Sequence, residues 1–376
     1  MKFALIVLSV FSLCALVSVL TDAVPALRTW TGRIGIGSLS ADAAYDKVRA
    51  MALRWLRQTP AVPVSDQTRR TIWERLRGKY KSDKVQHWQQ GALLLGVSEA
   101  GETAAAASFA ETVVDAQGRW RQTPDRPDYA LLAYALLRGG DARMLRPAMD
   151  EMFAFLSAQA GEGTVPYDPR VPDKRFVDTL GMVCPFLALY AKTYDCPDAL
   201  GLCMRQLSEY ADKGINRTCG LPFHAVRVPS GAPLGVCGWG RGCGWYALAL
   251  SELLRCGIDV TRQARVFADA LLPTQQANGA FSRQLLAESG GESSATAMLG
   301  HFFAVLFRQT GETAYRDAAE KACAFLRSVT RRDGQTDFAQ GDTKGIGFYS
   351  LRMSPMPAAQ GFTLLLWTEL RDNKSV

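Results

Sequence analysis

Histidine is scarce in this chain. There are three, far apart in sequence, and no two of the nine cysteines are spaced Cys-x-x-Cys. That excludes a zinc centre or any other histidine-built metal site. It also argues against sugar isomerases and epimerases, whose chemistry leans on histidine. No block of lysine and arginine with interleaved aromatics occurs, so the footprint of a nucleic-acid binder is missing. The net charge of +7 is modest and spread out, which suits an acidic substrate or an anionic envelope surface. Strand-like alternation is nearly absent. Disorder is excluded by 48% hydrophobic and only 21% charged residues, a composition that can fill one large core or two ordinary ones. The cysteines form no disulfide framework. Cys184 and Cys323 lie in apolar helical runs, where free thiols behave as small hydrophobes. Cys219, Cys237 and Cys243 surround a Trp/Arg segment, where export would permit a bond, but none is assigned.

What is present begins with a leader. Lys2 precedes an uncharged apolar run from Phe3 to Leu20. Eighteen residues span roughly 27 Å as a helix, just short of a hydrocarbon core. The run reads as a long signal-peptide core or a short membrane anchor. Ala23 and Ala26 offer small residues before a cut, whereas Leu13 before Cys14 argues against a lipoprotein site. Residues 1–26 are therefore assigned as signal peptide, the preferred reading, or as an anchor tethered through residues 3–20. The folded part is placed outside the cytoplasm, in the periplasm or on the cell envelope.

Beyond residue 40 the pattern is helical almost throughout. Twelve segments are predicted, at about 41–57, 85–98, 101–114, 128–138, 143–159, 176–194, 197–214, 241–256, 262–277, 293–310, 313–330 and 356–372. Two kinds alternate. Ala130–Leu137, Leu180–Tyr190, Ala247–Leu254, Met298–Leu306 and Phe362–Trp367 are apolar nearly all round, as buried helices are; Arg143–Gln159 and Thr313–Arg327 are amphipathic. Short turns lead from each apolar segment to the next amphipathic one, and Gly-Glu-Thr-Ala recurs at Gly101 and Gly311. Long Gly/Pro-rich loops lead back. This repeat of roughly 50 residues predicts an all-α (α/α)6 toroid over residues 41–372, an inner ring of helices wrapped by an outer one. The long loops then gather at one mouth, where six inner-helix N-termini present partial positive charge to an anion.

Residues near those inner-helix starts become candidates by position. They include Gln86, His87 and Trp88 on the first, Ser293 and Ser294 on the fifth, and Tyr349 before the last. Asp178 is a lone carboxylate in an apolar run. A buried unpaired charge is expensive, so it must cap, pair or catalyse. Two apolar residues before it disfavour the cap, and apolar surroundings lift a carboxyl toward acid/base range. Asp128 follows Pro127 at a helix start, where capping is ordinary. Beside Asp178 on a shared rim it becomes the second of a pair, with Asp125 in reserve. The segment Gly238–Ala247 packs Trp239, Arg241 and Trp245 among glycines. Tryptophan offers a face for a sugar ring, Arg241 a fork for a carboxylate, and the glycines close backbone approach to a ligand. His224, on the long 215–240 loop, is a candidate hydroxyl or proton partner. His301, mid-helix, reads as core.

Together, Asp178-Thr179-Leu180-Gly181-Met182, Trp239-Gly240-Arg241-Gly242-Cys243-Gly244-Trp245 and Glu292-Ser293-Ser294-Ala295-Thr296-Ala297-Met298 resemble the unsaturated glucuronyl and rhamnogalacturonyl hydrolases of glycoside hydrolase families 88 and 105. The resemblance covers about residues 41–372. It implies the (α/α)6 toroid and a substrate with a terminal 4,5-unsaturated uronic acid, the product of a polysaccharide lyase. It implies protonation of the enol ether at C4 and addition of water at C5, after which the hemiketal opens and expels the remaining sugar. Asp178 matches the acid/base and Asp128 the carboxylate that holds ring hydroxyls. Trp239, Arg241, Trp245 and His224 would line the sugar site. No metal or organic cofactor is implied. The loop where many rhamnogalacturonyl members carry a histidine reads Gly163-Thr164-Val165-Pro166-Tyr167, so Tyr167 is the candidate to take that place. Cys243 stands where Asn or Gln is usual. Two other readings share these residues: an ordinary two-carboxylate glycosidase on the same toroid, and a non-catalytic binder of acidic polysaccharide that would not need Asp178.

Overall fold

The computed structural model describes residues 2–63, 66, 72–78 and 84–372. The apolar segments form inner helices α4 (His87–Glu99), α6 (Tyr129–Gly139), α8 (Val177–Tyr194), α10 (Gly240–Arg255), α12 (Ser293–Thr310) and α14 (Pro357–Asp372). Each packs on the next, and α14 closes on α4. Around them lie α2 (Ala41–Arg57), α5 (Thr103–Val113), α7 (Ala142–Ala160), α9 (Pro197–Lys213), α11 (Thr261–Leu271) and α13 (Thr313–Ser328). A short α3 (Ile72–Leu76) precedes the first inner helix. This is the (α/α)6 toroid. Its division follows from burial: every residue of Tyr129–Leu137 on α6 is buried, whereas amphipathic α13 buries only one face.

Small residues set how closely the inner ring closes. A Cβ on Gly361 would lie 2.1 Å from the Ala92 carbonyl oxygen, and one on Gly96 would lie 2.3 Å from that of Gly361, at the α14–α4 seam. Gly91 against α6, Gly181 against Trp245, Gly244 against Met298 and Gly300 against Leu366 play the same part at four other seams. The expectation that glycines of the Trp/Arg segment admit a ligand is corrected here. Gly240 faces the Ser282 carbonyl, where a Cβ would lie at 2.1 Å, and Gly242 faces the Trp239 ring at 2.7 Å. They admit neighbouring helices and loops.

Strands are few and short. β1 (Lys174–Phe176), β2 (Phe223–Arg227) and β3 (Ala232–Cys237) form an antiparallel sheet over the mouth, with Phe176 opposite Ala225. β4 (Ala339–Gln340) pairs with β5 (Met353–Ser354) beside it. Strands of two to six residues are too short for alternation to register. Helix 262–277 is shorter than expected, because Pro273 sits in a 3-10 turn, Leu272–Thr274, that follows α11. The thiols of Cys219 and Cys237 lie 3.6 Å apart beside the β2–β3 hairpin.

The leader forms α1 (Lys2–Arg33), which continues through Pro25. Its apolar residues face outward, and its last residue docks on the toroid. Arg33 Nε donates to Asp337 Oδ2 at 2.9 Å and Nη2 to the Met353 carbonyl at 3.0 Å. Asp337 is fully buried and also paired with Arg331, so the end of α1 is tied to the loop between α13 and α14.

Candidate active site

The mouth holds a cavity of about 200 Å3 whose walls include Trp88, Tyr167, Asp178, His224, Arg241 and Trp245. They come from α4, the loop before β1, α8, β2 and α10. Asp178 is the second residue of α8, so it is not the helix cap; Phe176 precedes the helix and makes no side-chain cap bond. Its carboxylate is 16% exposed and Oδ2 has no hydrogen-bond partner. Burial pushes Asp178 up to about 7, while the Arg241 charge pulls the other way. A carboxyl so placed is half protonated near neutrality and can give a proton.

His224 faces it, with Nε2 3.6 Å from Asp178 Oδ2. Burial, then the Arg241 charge, lowers this imidazole to about 4, so it is neutral at pH 7. Its Nδ1 lies 2.9 Å from the Tyr349 hydroxyl, which accepts the Val236 backbone N–H at 3.1 Å. Trp239 packs on His224 at 4.7 Å and on Tyr349 at 5.4 Å.

Arg241 is buried, and its fork is largely engaged by protein. Nη1 donates to the Gln340 carbonyl at 2.6 Å, and Nη2 to the Gly341 carbonyl at 2.9 Å. It thereby pins the 340–343 loop beside Asp178. Gln340 is held again by the Trp239 indole N–H, at 2.9 Å, and by its own backbone N–H to Glu292 Oε1, at 2.8 Å. Glu292 caps α12 through the Ser294 and Ala295 N–H groups, so one buried carboxylate joins a helix start to the site loop.

Asp128 is buried, makes no side-chain cap bond to α6, and has an unpartnered Oδ1. Burial raises it to about 6. Asp125, by contrast, is exposed. Tyr167 is held well above its usual range by burial, then by the charges of Asp128, Asp178 and Asp342. His87 stacks on Tyr129 at 3.6 Å with Nδ1 unpartnered, and burial lowers its pKa. Trp88 and Trp245 meet edge to face at 5.5 Å.

The structure thus gathers Asp178, His224, Arg241, Trp245, Trp88 and Tyr167 around one space. Trp239 and Ser293 stand behind it. Trp239 is 2% exposed with its faces occupied by protein, and Ser293 is wholly buried. Sequence reasoning missed Asp168, Asp342, Thr343 and Lys344, which complete the wall. Asp342 accepts from Gln86 Nε2 at 2.8 Å. The Gly345-Ile346-Gly347 segment beside them was the available signal. Among the described residues, no three His, Cys, Asp or Glu side chains gather as metal ligands would.

Fold and site together define a glycoside hydrolase built on an (α/α)6 toroid. The chain belongs to glycosyl hydrolase family 88, whose family model matches residues 48–373. A structure from Salmonella enterica described as a possible member of family GH105 is similar at a TM-score of 0.70 and 18% identity, over 89% of this chain and 95% of that one. An unsaturated glucuronyl hydrolase specific for heparin gives a TM-score of 0.67 at 15% identity, over 90% and 99%. The unsaturated glucuronyl hydrolase of Bacillus sp. GL1, responsible for glycosaminoglycan degradation, gives 0.64 at 15%, over 90% and 98%. Among curated proteins none matches the chain.

Proposed function

We propose that this hydrolase removes a terminal 4,5-unsaturated uronic acid from lyase-generated oligosaccharides, with Asp178 as acid/base. The observation that carries this reading is the Asp178 carboxyl, which lines the cavity and is lifted to about 7 by burial. An enol ether needs a proton delivered to carbon, and a neutral carboxylic acid supplies it. Asp178 gives its proton to C4, water adds at C5 as the carboxylate takes a proton back, and the hemiketal opens to expel the rest of the sugar. Asp128 and Tyr167 hold ring hydroxyls, and Trp88 and Trp245 wall the ring. Arg241 supplies positive charge toward the uronate carboxylate. His224, neutral, supports Asp178. Trp239 acts by holding Gln340, and Ser293 only through its backbone N–H, which ties the start of α12 to the Phe338 carbonyl.

The domain works outside the cytoplasm, and α1 keeps it at the cell envelope as a membrane tether. The support for this is the apolar stretch of α1, long enough as a helix to cross a membrane, together with the Arg33–Asp337 pair that joins the end of α1 to the toroid. The test follows loss of enol-ether ultraviolet absorption from lyase-generated disaccharides. Wild type should remove the band, and Asp178→Asn should bind without removing it. A wild-type protein that leaves the band unchanged across several uronide types overturns the hydration mechanism.

A further inference from the structure

The rim of the mouth continues the surface of the leader helix. α1 carries an apolar stretch of mean hydropathy 2.8, none of it buried against the toroid. The loop that returns from the active site, Leu351–Ser354, shares the walls of one open cavity of about 990 Å3 with Val19, Ala23, Ala26 and Trp30 of α1. Leu351 therefore stands level with the end of the apolar run, and the toroid does not hang far below it.

Four apolar side chains on this rim face outward: Leu351 is 74% exposed, Phe348 72%, Leu286 52% and Val236 37%. The segments that carry them adjoin. A Cβ on Gly238 would touch Leu286 at 3.3 Å, one on Gly235 would touch Ile346 at 3.2 Å, and the Val236 N–H reaches the Tyr349 hydroxyl. The same segment supplies Asp342, Thr343 and Lys344 to the catalytic cavity. Large exposed apolar side chains grouped on one rim mark an interaction surface.

We propose that this rim docks on a lipid bilayer, so that the mouth of the toroid opens at the membrane surface. The inference rests on α1 lying in that bilayer, as read above. Continuity of the rim with α1 selects lipid as the occupant. Phe348 and Leu351 enter the interfacial layer, as apolar side chains of surface-bound proteins do. The site then takes acidic glycan ends presented at the membrane.

The full chain is reconstituted in vesicles of phosphatidylcholine and phosphatidylglycerol. The photo-crosslinker p-benzoylphenylalanine replaces, one at a time, Phe348, Leu351, Leu13 within α1, and Met144, an exposed residue at the opposite end of the toroid. Lipid adducts are expected at 13, 348 and 351 and not at 144. Adducts at 13 without any at 348 or 351 overturn the docked mouth and leave the tether standing. No adduct at 13 overturns both. Chain-to-chain adducts at 348 or 351 in place of lipid identify a second copy as the occupant and overturn the proposal.

Discussion

At the scale of single residues, the site works by withholding water from charge. Among the described residues neither Asp178 nor Asp128 forms a salt bridge with an arginine or lysine, and burial lifts them to about 7 and about 6. Since the acid form of Asp178 delivers the proton, kcat/KM should fall as pH rises through about 7, tenfold per unit beyond it. Replacement by Asn should cost about 100- to 10,000-fold in rate, the range for a general acid. Arg241 lowers the Asp178 pKa, so Arg241→Gln should move that alkaline limb upward. The same change releases the Gln340 and Gly341 carbonyls, and a loop displaced by an ångström lowers kcat/KM by about 100-fold. A pH–rate profile of the variant reads both effects. For His224, a carbon or nitrogen NMR titration should show a neutral ring at pH 5.5, because its pKa is lowered to about 4.

Between elements, helices meet where side chains are missing. Gly361 and Gly96 let α14 and α4 approach until backbone touches backbone. Gly361→Ala should destabilise the protein by about 1–3 kcal/mol, the usual cost of overpacking, seen as a lower urea midpoint with an unchanged slope. The helices and their turns were legible in the sequence because a 3.6-residue period and helix-ending glycines are local signals. Asp178 was legible for a related reason, since a lone carboxylate in an apolar run stands out against its neighbours. The purpose of the glycines was not legible. Gly242 and Gly244 look like a ligand-binding loop in one dimension and prove to be clearance for Trp239 and Met298. Asp342 and Lys344 were missed because they lie in a loop with no period, which bonds from Arg241, Trp239, Glu292 and Gln86 bring to the cavity beside Asp178.

Over the whole molecule, the end opposite the mouth is closed by charge. Glu252 is fully buried and accepts from Tyr134, from Arg255 at 2.9 Å and from His301 across 2.8 Å. Arg255 and Arg138 also pair with Glu99, which joins α4, α6, α10 and α12. Burial alone would raise the Glu252 pKa, but Arg255 and then His301 hold it well below the carboxylate range. A depressed pKa stabilises the fold above the unfolded value, near 4.5, and this contribution is lost as pH falls below it. The urea midpoint of wild type should therefore decline between pH 5 and pH 3. Glu252→Gln should remove much of that slope and cost about 3–5 kcal/mol at pH 7, as breaking a buried ion pair does.

The order of twelve helices, their sorting into inner and outer rings and the end at which the loops gather follow from periodicity and turn residues, and these act between near neighbours in the chain. Tertiary structure alone decided the chemistry around them. Gln340, Asp342 and Lys344 reach Asp178 from more than a hundred positions away. Whether a carboxyl is an acid at neutral pH depends on how much water and charge surround it, and that is set by residues distant in sequence that the closed ring brings into contact.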